Sequence, residues 1–129
     1  EHYIEIRRRN ANYFSKNLGN LTNIVLHQEA EKTRHVWFAY PIIVPTTATF
    51  SRKELVNYLE AKGVETRPIM AGNIAEQPAL QLFPHRQHGD LHNSRIIHSN
   101  AFLFGNHHGL EKDEKEALAN YFQEFLKTH

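Results

Sequence analysis

Ten histidines are the most conspicuous chemical resource of this 129-residue chain. His85, His88 and His92 are spaced three and four apart, so on a continuous helix they share one face and offer three imidazoles to a metal. Pro84 and Gly89 interrupt such a helix, and no acidic residue stands ready to orient the rings, so surface or hydrogen-bonded histidines are the weightier reading and no metal is expected. His107 and His108 form a further pair. Arg67 precedes a proline, which holds it extended near a sheet edge, where a guanidinium either grips a phosphate or carboxylate or closes an ordinary ion pair. Its spacing leaves both roles open. Asn73 and Gln77 suit recognition of hydroxyls and carbonyls, although Asn after Gly also makes a routine turn. The chain has no Gly-rich phosphate loop after a strand, no Gly-x-Ser-x-Gly elbow and no His-Glu-x-x-His helix, so self-contained catalysis has little support.

Composition narrows the classes further. There is no cysteine, which excludes disulfides, thiolate metal sites and cysteine nucleophiles and makes cytoplasmic chemistry the default. Fifteen Lys and Arg against fourteen Asp and Glu leave a charge of +1, so no general attraction draws the chain to nucleic acid or an anionic membrane. No apolar run approaches the roughly 20 residues that cross a bilayer. With 40% hydrophobic and 22% charged residues the chain is expected to fold, as one domain with one modest core. It starts without a signal peptide, and the missing Met points to a fragment.

The elements that must position these residues are legible in part. Ile4, Ala11, Phe14 and Leu18 lie on one helical stripe between Tyr3 and Leu18, closed by Gly19 and Asn20. The Arg7-Arg8-Arg9 run within it reads as a solvated helical face. Trp37–Val44 predicts a strand covered on both faces, with Pro41 interrupting its hydrogen bonds or sitting at an edge. Ser51 and Glu54 form a capping box for a helix to about Lys62 that buries Leu55, Val56 and Leu59. Gly63 ends that helix, and Val64–Arg67 resumes as a short strand. Residues 68–100 read as loop and short helix, and 101–104 as a buried strand. A final helix starts on Glu111, Asp113, Glu114 and Glu116 and buries Leu118, Phe122, Phe125 and Leu126. The expected fold class is α/β (α+β), helices packed on a short mixed sheet, in one domain over residues 1–129.

The ordered segments RRRNANYF, WFAYPIIV, SRKELVNYLEAKGVETRPIMAGNIAEQPAL and FLFGNHHGL resemble the C-terminal part of the DegT/DnrJ/EryC1/StrS family, across nearly the whole chain and most strongly over residues 51–80. The resemblance implies the small domain of a fold-type I pyridoxal-phosphate enzyme acting on nucleotide-linked keto sugars. Within the family, sugar aminotransferases typically carry a His-containing strand at Trp37–Tyr40 and Pro-x-His-x-Gln-Pro near residues 72–78. The 3-dehydratase branch shows Trp-Phe-x-Phe-Pro and Thr-Arg-x-x-x-x-Gly-Asn-x-x-x-Gln-Pro, which Thr66-Arg67, Gly72-Asn73 and Gln77-Pro78 match at its spacing. Tyr40 departs from the usual Phe, and FLFGNHHGL matches only loosely, which leaves CDP and GDP open as the substrate's nucleotide.

What the resemblance implies is therefore a pyridoxal- or pyridoxamine-5'-phosphate-dependent 4-keto-6-deoxyhexose 3-dehydratase of deoxysugar (lipopolysaccharide O-antigen) biosynthesis, with the cofactor as electron sink while the C3 hydroxyl leaves. Its base, His in that branch and Lys in aminotransferases, belongs to a large domain upstream of Glu1, so no catalytic residue is assigned in this stretch and none of the cofactor is expected on it alone. Arg67 and Asn73 are expected to line the cleft near cofactor and sugar, with Gln77 orienting the loop, in a homodimer. The alternatives are an aminotransferase small domain and a free-standing α/β binding module.

Overall fold

The computed structural model describes residues 1–70 and 72–129. Helix α1 (His2–Leu18) is followed by strands β1 (Val25–Leu26) and β2 (Ala39–Ile43), helix α2 (Arg52–Ala61), strand β3 (Thr66–Pro68), helix α3 (His92–Asn100), strand β4 (Ala101–Gly105) and helix α4 (Lys112–Lys127). Two short 3-10 turns, Ile74–Glu76 and Pro78–Leu82, lie between β3 and α3. The four strands form one sheet in the order β1-β2-β4-β3. Every pairing in it is antiparallel, so the α+β class holds but the sheet is not mixed. β2 and β3, joined through α2, run in the same direction on either side of β4, and α3 returns the chain antiparallel between them.

Local signals account for the helices. The Ser51 side chain accepts from the Glu54 amide while the Glu54 carboxylate accepts from the Ser51 amide, which closes the capping box expected of α2. Gly63, at φ +85°, supplies the left-handed residue just beyond its end. In α4, Glu111 and Glu114 repeat the reciprocal arrangement. In α1 the inner stripe is Asn10, Ala11, Phe14 and Leu18.

One sheet face takes the core. Tyr40 and Ile42 of β2 and Phe102 and Phe104 of β4 are buried with Phe14, Leu55, Leu59 and Phe122 from the helices. Tyr40 stacks on Phe104 at 5.2 Å, and Phe14 meets Phe104 edge-on at 5.0 Å, the geometries that ring quadrupoles favour. Tyr40 carries a hydroxyl where the resemblance expects Phe, and Ser15 of α1 is its hydrogen-bond partner at 2.8 Å. Burial pushes that phenol's pKa up.

The strand expected over Trp37–Val44 is shorter and one-sided. Trp37 takes φ +49°, a left-handed value that no strand residue holds, and pairing begins only at Ala39. Burial then alternates along β2, with the second face only half covered. Pro41 is tolerated because the β1 ladder stops at Ile42, so that flank needs no donor from it. The arginine run is also not a simple solvated face. Arg9 is exposed, but Arg8 pairs with both carboxylate oxygens of Glu29 at 2.8 and 2.9 Å and donates to the His35 carbonyl, while Arg7 donates to the Val36 carbonyl. Together they stitch α1 to the segment that enters β2.

Candidate functional site

The second sheet face carries the alternate residues. Arg67 lies opposite Leu103, which lies opposite Pro41, so these three share the face that the core helices leave open. Phe38, at 70% exposure, flanks it. A shallow cavity of about 290 Å³ is lined there by Phe38, Arg67, Leu103, Gly105, Asn106 and His107. A second, of about 230 Å³, is mostly apolar and lined by His27, Pro41, Ile43, Ile69, Ile97 and Ala101. The chain leaving β3 and the end of α3 thus border the open face.

Arg67 stands free of the core, its side chain 74% exposed. Its guanidinium donates to Glu65, two residues away, at 2.9 and 2.5 Å. That is the edge ion pair of one reading, yet so exposed a pair is worth little and yields readily to an anionic ligand.

Asn73 is in the opposite situation, buried at 4% exposure. Its Oδ1 accepts from the Ala75 amide at 3.2 Å and caps the first 3-10 turn, while its Nδ2, also buried, has no acceptor among the described residues. Buried polar atoms are nearly always satisfied, which sets this donor apart from the rest of the turn. Gly72, at φ +52°, makes the turn that delivers Asn73. Gln77 sits half-buried between the two 3-10 turns, its amide bonded to the Ile74 carbonyl. The structure therefore joins Asn73 and Gln77 through one compact turn and sets Arg67 apart on the strand. Ala71, among the unspecified positions of that motif, lies outside the described residues.

Two features escaped the sequence reading. Asn106 is buried, donates from Nδ2 to the carbonyls of Arg7 and Trp37, and leaves Oδ1 without a partner among the described residues. Its place in Gly105-Asn106-His107 reads as a turn, and no spacing rule separates the two. His98 touches both Gly72 and Asn73, although they are 25 or more residues away in sequence.

The histidines divide into local roles. His85 bonds the Phe83 carbonyl, His107 Nδ1 accepts from the Gly109 amide, and His108 packs on Tyr3 at 4.1 Å. His92 opens α3, whereas His85 and His88 precede it in irregular chain, so no common helix aligns them. Among the described residues no three His, Cys, Asp or Glu side chains gather as metal ligands would. His27, His35 and Trp37 form a ring cluster with centroids 4.7–5.3 Å apart, in which burial and His35 lower the His27 pKa. No helix among the described residues is long and apolar enough to cross a membrane.

Comparison with known proteins places these features in a family. The model of the DegT/DnrJ/EryC1/StrS aminotransferase family matches residues 1–123. The lipopolysaccharide biosynthesis protein RfbH of Salmonella typhimurium is 31% identical over 98% of this chain and 29% of its own length. GDP-4-keto-6-deoxy-D-mannose 3-dehydratase of Escherichia coli O55:H7 is 30% identical over 97% of this chain and 31% of its own length. A solved E. coli GDP-4-keto-6-deoxy-D-mannose-3-dehydratase with bound hydrated PLP superposes with a TM-score of 0.82 at 29% identity, covering 92% of this chain and 30% of that one. The chain thus spans about 30% of the length of the relatives it matches.

Proposed function

Because the chain belongs to the DegT/DnrJ/EryC1/StrS aminotransferase family, we propose that residues 1–129 are the C-terminal small domain of a longer sugar-nucleotide 3-dehydratase. Its substrate class is a nucleotide-linked 4-keto-6-deoxyhexose, the class named for the E. coli relative, and its setting is deoxysugar assembly for lipopolysaccharide, as the Salmonella relative's name suggests. A cytoplasmic homodimer completes the reading. Pyridoxal or pyridoxamine 5'-phosphate, when bound, supplies the electron sink for loss of the C3 hydroxyl.

This chain contributes a wall of the cleft. Asn73 Nδ2 is a desolvated donor with no acceptor among the described residues, suited to an oxygen of sugar or cofactor. Arg67 offers an exposed guanidinium to an anionic group. Gln77 holds the far end of the same turn. The proton-transferring base and the pyridinium contact belong to the upstream large domain. The single observation that carries the reading is the orphaned, buried amide of Asn73, standing at its place in the Thr66-Arg67, Gly72-Asn73, Gln77-Pro78 pattern.

The test uses the full-length protein with pyridoxal phosphate, glutamate and GDP-4-keto-6-deoxymannose, following appearance of the 3-deoxy product. Arg67→Ala is expected to lower turnover about 10–100-fold, the range for losing a hydrogen bond to a charged group, while leaving the unfolding midpoint near that of the parent. Loss of folded protein in step with activity returns Arg67 to the role of an edge ion pair. Transfer of the amine to the sugar, with the C3 hydroxyl retained, makes the enzyme an aminotransferase instead.

A further inference from the structure

The Gly72-Asn73 turn is closed by bonds within its own segment. The Gly72 amide closes onto the Ile69 carbonyl at 3.1 Å, and the Glu76 amide onto the Asn73 carbonyl at 3.0 Å, but neither bond ties the turn to the rest of the fold. The tie comes from α3. The Asn73 amide donates to His98 Nδ1 at 3.3 Å, and a Cβ built on Gly72 lies only 2.0 Å from the same nitrogen. The imidazole therefore lies directly against the glycine backbone, and a side chain at position 72 collides with it. As an acceptor, Nδ1 carries no proton, so the ring that makes this bond is neutral, with its hydrogen on Nε2.

His98 is in turn held from behind. Arg52 of α2 donates to the His98 carbonyl at 3.0 Å and to the Ala101 carbonyl at 3.2 Å. One turn earlier on α3, Arg95 pairs with Glu76 at 2.8 Å and donates to the Asp90 carbonyl, a second tie between the helix and the same turn. The charged groups around the contact are thus Arg52 from α2, Arg95 from α3 itself, Glu76 from the 3-10 turn and Asp90 from the segment before α3. A bond from a ring on a helix to a backbone amide fixes the loop's position without consuming the Nδ2 donor of the Asn73 carboxamide.

We propose that His98 is a positioning residue: anchored through its carbonyl by Arg52, its imidazole clamps the Gly72-Asn73 turn and so sets where the Asn73 carboxamide stands. The consequence for turnover rests on the cleft assignment of Asn73 made above, whereas the clamp itself does not. His98 touches neither reactant nor cofactor in this account, and acts only through Asn73.

Two measurements separate these layers. In the full-length protein without substrate, amide hydrogen exchange at Asn73 is expected to rise about tenfold in His98→Ala, the upper range for one net hydrogen bond, and to return toward the parent rate in His98→Asn, whose Oδ1 can replace the acceptor. In the full-length enzyme with GDP-4-keto-6-deoxymannose, His98→Ala is expected to raise KM or lower kcat by a similar factor without shifting the unfolding midpoint in proportion, with rescue by His98→Asn. Unchanged exchange at Asn73 in His98→Ala overturns the clamp. Faster exchange with unchanged kinetics, in an enzyme that Asn73→Ala cripples, also overturns the positioning role. If Asn73→Ala itself keeps full turnover, the cleft assignment fails, and exchange alone then judges the clamp. As a check on the contact, Gly72→Ala is expected to perturb the loop less in the His98→Ala background than in the parent, because the colliding ring is gone; equal perturbation in both argues against it.

Discussion

The two faces of one small sheet differ in almost every respect although the same strands supply both. On the helix side, Tyr40, Ile42, Phe102 and Phe104 are buried and their polar atoms paired, Tyr40 through Ser15. On the other side, Pro41 and Leu103 are half-covered and Arg67 and Phe38 project into solvent, and beyond the strands two buried side-chain atoms, Asn73 Nδ2 and Asn106 Oδ1, have no partner among the described residues. The first face is complete within this chain. The second is not, and the difference separates residues that stabilise the domain from those left available to something outside it.

Substitutions on the two faces sharpen or break that contrast. The largest effect is expected from Phe104→Ala, which removes the ring at the centre of the aromatic stack and costs about 3–5 kcal/mol by urea unfolding; a loss below about 1 kcal/mol contradicts a core centred there. Tyr40→Phe removes a hydroxyl and leaves Ser15 unpaired, with an expected loss of about 1 kcal/mol in the same assay. On the open face, Phe38→Ala is expected to change stability by less than about 0.5 kcal/mol, and a core-sized loss there erases the distinction between the faces.

A smaller, pH-dependent contribution comes from the edge of the covered side. The Glu29 carboxyl is held down to about 2 by the Arg8 guanidinium first and the His35 amide second. Its folded pKa lies below the unfolded one, so its stabilisation is present above the usual carboxylate range and fades as pH falls from about 4.5 toward 2. Acid unfolding curves of Glu29→Gln are expected to be flatter than the parent's across that window. Parallel curves would remove Glu29 from the acid response.

Much of the helical framework could be read without coordinates because its signals are local. The Ser51 and Glu54 cap, the Gly63 stop and the Leu118, Phe122, Phe125 stripe each depend on residues within a turn or two, and each appears where its pattern predicts. Strand limits were less legible. β1 has only two residues, too few for an alternation to register, and the left-handed Trp37 begins β2 two residues later than its hydrophobicity suggests. The arginine run was misjudged because Glu29 and the carbonyls of His35 and Val36 lie more than twenty residues away. Of the candidate site, Arg67, Asn73 and Gln77 stood out through their motif, whereas His98 and Asn106 carry no local mark.

The order of amino acids by itself determined the helices, their caps, the family and the pattern containing Thr66-Arg67, Gly72-Asn73 and Gln77-Pro78, since these depend on short-range periodicity and residue type. Only the tertiary structure decided which sheet face stays open, that Asn73 is buried with a donor unpaired among the described residues while Arg67 projects outward, and that a histidine from α3 meets the Asn73 amide. Those outcomes depend on strand pairing and helix placement, which join residues far apart in the chain and leave no periodicity to read.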